Sequence, residues 1–139
     1  MASQSLSQLT GTRSLLRNWL GRGIQRLIPL LNIPLGKIRY FKKKDWYGVK
    51  TCNLGVYKED FVNINGFNEE FEGWGHEDAD LAIRLIRNGI YRKEGIFSTT
   101  VFHCHHDERD RSSEEKNRNM LEQSMTGDIK VRKGLFYYD

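Results

Sequence analysis

Asn65-Gly66-Phe67-Asn68-Glu69-Glu70-Phe71-Glu72-Gly73-Trp74-Gly75-His76-Glu77-Asp78-Ala79-Asp80 runs glycines and an aromatic straight into a carboxylate cluster, and an apolar-periodic segment begins right behind it. Leu81, Ala82, Leu85 and Ile86 recur at helical spacing, Gly89 stands where a C-terminal cap belongs, and Arg84 and Arg87 fall in the last turn. With Glu77 set at 0° and 100° per residue, Leu81, Leu85, Ala82 and Ile86 fall at about 40°, 80°, 140° and 180°. Asp78 lands at about 100°, inside that apolar arc, and Ile83 falls outside it. Asp80 and Arg84 lie on the other side as an i,i+4 pair, so Asp80 is read as a solvated helix-face residue.

This geometry separates the acids. Asp78 points toward whatever the helix packs on, and a partly desolvated carboxylate at the mouth of an apolar cleft suits general-base work. Glycines let backbone approach a ligand closely, and an indole offers a flat face for stacking. A sugar acceptor awaiting deprotonation needs those features together. The competing reading is that all three acids only complement the positive end of the helix dipole, although a helix start does not require an aromatic between two glycines.

Gly73-Trp74-Gly75-His76-Glu77-Asp78 resembles the acceptor-site motif of the galactosyltransferase C-terminal region of GT-A glycosyltransferases. Similar sequences occur in bacterial family 2 sugar transferases, chondroitin-type polymerases and animal β-1,4-galactosyltransferases. The likeness extends back to Val49-Lys50-Thr51-Cys52-Asn53-Leu54-Gly55-Val56-Tyr57-Lys58-Glu59-Asp60-Phe61, similar to the family's strand and short helix. It extends forward through Val101-Phe102-His103-Cys104-His105-His106-Asp107-Glu108, similar to a His-x-x-His-Pro-Glu ending with Asp107 in the Pro place. Together these blocks cover about residues 46–110.

The resemblance implies an α/β chain: a partial GT-A fold, its C-terminal half, preceded by a basic helical segment. It implies Asp78 as the base for the acceptor hydroxyl, Glu77, Trp74 and Gly75 as acceptor contacts, Asn53 as a strand-end polar contact, and His103 as a metal ligand. The reaction implied is an inverting displacement on a nucleotide-diphosphate sugar donor, with Mn²⁺ or Mg²⁺ neutralising the leaving group. The acceptor would be a saccharide or glycolipid in surface polysaccharide synthesis. The family's Asp-x-Asp motif is missing upstream of residue 46, and Asp78-Ala79-Asp80 sits inside the predicted helix. A donor-binding sheet does not fit in 45 residues, so a missing N-terminal half or a partner chain is expected to supply it. The alternative is a non-catalytic remnant that binds carbohydrate or docks a partner.

Charge divides the 139 residues unevenly. Residues 1–44 hold nine Lys/Arg and no acid, whereas residues 45–139 hold thirteen basic and eighteen acidic residues. Domains are therefore read as 1–45, a basic amphipathic segment, and 46–139, the acceptor-binding domain. No uncharged apolar run reaches the ~18 residues of a membrane span. Leu15, Leu16, Trp19 and Leu20 share one side of a possible helix among arginines. Residues 13–44 are accordingly expected either at an anionic membrane surface or docked on the missing half. A cytoplasmic location, peripheral at the inner membrane face, follows from the first of these. Lys42-Lys43-Lys44 beside Trp46 and Tyr47 has the ingredients of nucleic-acid contact, but no such motif accompanies it and the remainder is acidic, so no nucleic acid is expected. Cys52 and Cys104 form no metal or disulfide framework and are expected as small core residues in strands. Near the end, Glu114 to Leu121 suggest a charged surface helix with a narrow apolar edge, and Phe136-Tyr137-Tyr138 a fold-back onto the core.

Overall fold

The computed structural model describes residue 13, residues 20 and 21, residues 31–101 and residues 111–137. The chain divides into two compact units, one of Met1–Gly36 with Gly95–Thr100 and one of Lys37–Glu94 with Val101–Asp139. In the first, the Ile33 N–H donates to the Phe97 carbonyl at 3.0 Å, and the amides of Ser98 and Thr99 close a turn on Gly95. The second carries α1 (Lys58–Asn63), α2 (Glu77–Arg87), α3 (Glu114–Ser124) and a 3-10 turn at Thr51–Asn53, and the 3-10 turn Gly36–Tyr40 falls at its boundary.

No strand occurs among the described residues, and this corrects the expected α/β, partial GT-A architecture. Around Cys52 the chain makes a 3-10 turn in which the Asn53 N–H bonds back to Lys50. Backbone satisfied locally in this way is not available to a ladder. Lys50 and Leu54 on either side are extended, so the β-like composition is expressed in single residues and no sheet forms. Cys52 itself is exposed, against the expected small core residue. The membrane association expected of residues 13–44 finds no spanning helix behind it: no helix among the described residues is long and apolar enough to cross a membrane. Within that stretch Gly36–Tyr40 forms a 3-10 turn. The helix expected around Leu15–Leu20 and residues 102–110 fall largely outside the described residues.

Helix α2 forms where its periodicity places it and ends as its sequence dictates. Asn88 is the cap residue, the Gly89 amide bonds the Ile86 carbonyl, and the Ile90 amide bonds the Leu85 carbonyl. That pairing is a Schellman closure, with Gly89 at φ 87°. Ile90 then meets the Leu81, Leu85 and Ile64 core, joined by Val56, Phe61 and Ile129. Ile83 is also buried, because α3 packs on α2 and covers more of its circumference than one apolar stripe.

The face expected to be solvated is the most enclosed part of the unit. Asp80 and Arg84 are each 1% exposed and bridge at 2.6 Å. Arg84 also donates to the carbonyls of Ile64 and Gly66, and Ser124 of α3 donates its hydroxyl to the other Asp80 oxygen. A buried ion pair is tolerated only with its remaining hydrogen-bonding capacity filled, and here neighbouring carbonyls and a hydroxyl fill it. The turn that Arg84 grips has Asn65 at φ 62° and Gly66 at φ 72°. Asn65 bonds the Val131 carbonyl and the Phe136 amide through its side chain, which brings the C-terminal stretch back onto α1 as irregular chain.

A candidate saccharide cleft at the start of helix α2

The approach to α2 is shaped by three positive-φ residues within four positions, Gly73 at φ 72°, Gly75 at φ 106° and His76 at φ 75°. Gly75 requires its missing side chain for conformation and not for space, since a Cβ there would meet nothing within 4 Å. This reversal turns Trp74 outward, 37% exposed, and starts the helix at Glu77 without a side-chain cap. Glu77 and Asp78 sit in the first turn, where the helix dipole favours negative charge.

Opposite them lies a second aromatic segment. Trp46 and Tyr47 pack edge to face with centroids 6.1 Å apart. Between the two segments is a cleft of about 340 Å³ lined by both, with Glu114 and Leu121 of α3 along one side. Two indoles, a phenol and three carboxylates, Glu77, Asp78 and Glu114, thus face one volume, with Lys50 the single lysine in the lining. The Thr51 hydroxyl donates a short hydrogen bond to Asp78 Oδ1. A guanidinium already rests on one indole, with Arg111 4.2 Å from the Trp74 ring centroid. A larger groove of about 420 Å³ runs along Val49, Leu54, Val56, Ala82, Ile86 and Ile90. Among the described residues it also carries Tyr40, Tyr57 and Tyr91 with Arg92 and Lys93, and Asp60 is its one carboxylate. A more open depression of about 710 Å³ between Glu72, Asp128, Lys116 and Lys133 has carboxylates but no tryptophan. Of the three, the smaller cleft is the one that joins indoles to a carboxylate cluster.

The structure brings together four of the residues singled out from sequence: Trp74, Gly75, Glu77 and Asp78 all line the cleft. Asp78 is half-buried and faces Thr51, and does not enter the core. Asn53 is exposed in the 3-10 turn and is absent from the lining, while Thr51, two residues before it, donates to Asp78. His103 lies outside the described residues. Among the described residues no three His, Cys, Asp or Glu side chains gather as a metal set. Sequence reasoning missed Trp46, Tyr47, Thr51, Glu114 and Leu121. Trp46 and Tyr47 carried a signal, paired aromatics in a polar stretch, but the neighbouring lysines drew attention toward nucleic acid.

Segments of the chain are similar to parts of several sugar-transferring enzymes. The chain is 42% identical over 45 residues to validoxylamine A glucosyltransferase of Streptomyces hygroscopicus subsp. jinggangensis (strain 5008), covering 32% of this chain and 11% of that one. It is 36% identical over 62 residues to human chondroitin sulfate synthase 3, covering 43% and 7%. Mouse chondroitin sulfate N-acetylgalactosaminyltransferase 1 is 34% identical over 62 residues, covering 41% and 11%. The chain therefore spans about a tenth or less of the length of these curated relatives. No solved structure matches it. Residues 36–107, about half the chain, match the family model described as the N-terminal domain of galactosyltransferase, and the chain belongs to that family. The family's description is of an N-terminal domain, which corrects the expected C-terminal part. The expected acceptor-and-base half of a GT-A enzyme falls with it, because no sheet among the described residues supplies that scaffold.

Proposed function

We propose that the cleft at the start of α2 receives a saccharide, and that the chain serves as a sugar-binding part of a hexose-transferring enzyme. One observation carries this reading: Trp46, Trp74, Glu77 and Asp78 line a single cleft of about 340 Å³. Its size falls in the ~300–1,000 Å³ range of small-molecule pockets. Sugar rings pair an apolar C–H face with a rim of hydroxyls, so an indole for the face and carboxylates for the hydroxyls complement both. Three carboxylates against Lys50, with the Arg111 charge over the Trp74 ring, still leave the cleft net negative and unfavourable for a diphosphate. The proposed ligand is accordingly the saccharide and not a nucleotide. The names of the relatives, which include chondroitin and validoxylamine A enzymes, supply the first ligands to try.

Titrating chondroitin oligosaccharides and validoxylamine A into the chain, with tryptophan fluorescence and calorimetry as readouts, tests the proposal. Saturable binding by wild type that weakens in Trp74→Ala and Asp78→Asn is the expected result. Binding that both variants retain unchanged would place the saccharide elsewhere, and no saturable binding by wild type would end the reading.

A further inference from the structure

The two aromatic walls of the cleft are each held from behind by one side chain that grips backbone carbonyls. Asn117 of α3 is 1% exposed. Its amide donates to the carbonyl of Glu72 at 2.9 Å and of Trp74 at 3.3 Å. Arg92, 15% exposed in its side chain, donates from one guanidinium nitrogen to the carbonyl of Asp45 at 2.9 Å and of Tyr47 at 2.8 Å. The other terminal nitrogen of Arg92 pairs with Glu94 at 2.7 Å, which fixes the fork. Neither Asn117 nor Arg92 lines the cleft. Both wall segments are irregular chain with positive φ at Gly48, Gly73 and Gly75, so no helix or ladder holds them in place of these contacts. Among the described residues the acceptor oxygen of Asn117 meets no donor, and the contacts this buried amide makes with the wall are its donations to those two carbonyls.

We infer that Asn117 and Arg92 are positioning residues, Asn117 setting the Trp74 wall and Arg92 setting the Trp46–Tyr47 wall at the spacing a sugar ring requires. This rests on the saccharide reading of the cleft, but the wall positions can be measured without any sugar. In chains carrying Trp46 or Trp74 as the single tryptophan, acrylamide quenching reports each indole separately. Asn117→Ala and Asn117→Asp are expected to expose Trp74 and leave Trp46 unchanged. The aspartate keeps the shape and turns a donor toward two carbonyls into a repelling acceptor. Arg92→Leu and Arg92→Lys are expected to do the reverse, since an ammonium lacks the planar fork. Met120→Ala, one turn along α3 from Asn117 and with no side-chain donor to either wall, controls for loss of helix stability. Chondroitin oligosaccharide affinity should fall about tenfold in each clamp variant and stay within about twofold in Met120→Ala. Where Asn117→Ala does not fold, Asn117→Ser, with a hydroxyl donor on a shorter arm, carries the same comparison. Equal quenching changes at both indoles, or changes in Met120→Ala as large at matched stability, would overturn the assignment. Selective quenching changes without any sugar binding by wild type would leave the clamps standing and remove only the saccharide reading.

Discussion

Asp78 and Asp80 stand two residues apart on one helix and have opposite surroundings. Asp80 is 1% exposed, bonded to Arg84 and Ser124, and faces no solvent. Asp78 is half-buried at an open cleft and accepts a hydrogen bond from the Thr51 hydroxyl. Two residues of helix turn a side chain through about 200°, so the packing of α3 on one side and irregular chain on the other decides each fate. The enclosed carboxylate belongs to the architecture, and the open one is free to meet a ligand.

The sharpest way to break that comparison is to remove the guanidinium. Arg84→Met leaves Asp80 buried without its countercharge and strips donors from the Ile64 and Gly66 carbonyls. A loss of about 3–5 kcal/mol is expected in urea unfolding, enough to unfold much of a marginally stable unit. Asp78→Asn, in contrast, should stay within about 1 kcal/mol of wild type, because the Thr51 hydroxyl still finds an acceptor in the asparagine oxygen. Similar losses in both would erase the distinction between the two faces.

How far this was legible varies with the kind of signal. The helix at Glu77–Arg87 and its Gly89 closure are written in local spacing and cap chemistry, and both are read correctly from sequence. The burial of Asp80 is not, because it depends on Ser124 and the Asn65–Gly66 turn, 44 and about 15 residues away. An i,i+4 acid–base pair looks the same on paper whether another helix covers it or water does. The strand around Cys52 is misread for a related reason. Its β-branched and aromatic neighbours suit a pleated surface, but a ladder needs a partner, and among the described residues the turn at Thr51–Asn53 satisfies its backbone locally. Half of the cleft is legible for the same cause in reverse, since Trp74, Gly75, Glu77 and Asp78 are contiguous. The Trp46–Tyr47 wall comes from 27 or more positions upstream and is visible only once the chain has folded.

The turn beneath Arg84 offers the next largest effect. Gly66 at φ 72° would place a Cβ 2.8 Å from Leu135 Cγ, so Gly66→Ala adds backbone strain to a close contact. A loss of about 1–3 kcal/mol is expected in the same unfolding experiment. If the Asn65–Gly66 turn holds the returning C-terminal stretch as described, that variant should also speed amide exchange at Leu135 and Phe136. On the cleft side, Trp74→Ala should cost about tenfold in saccharide affinity and little stability, because the ring is already 37% exposed. A stability loss as large as that of Gly66→Ala would mean that Trp74 belongs to the core.

The smallest effect isolates the open carboxylate itself. Thr51→Val keeps the shape of the side chain and removes only the hydroxyl that donates to Asp78. Without that donor the carboxylate loses its tether but gains freedom to rotate and hydrate, so the two consequences offset in stability, with an expected change of about 0.5–1 kcal/mol. Binding is where the tether counts. A carboxylate held in one rotamer is pre-organised for a sugar hydroxyl, and a free one must be ordered at the moment of binding. Saccharide affinity is expected to fall about two- to fivefold by calorimetry, with the loss appearing mainly as a less favourable entropy. An unchanged affinity would show that Asp78 does not contact the ligand, and would leave the indoles to carry the cleft alone.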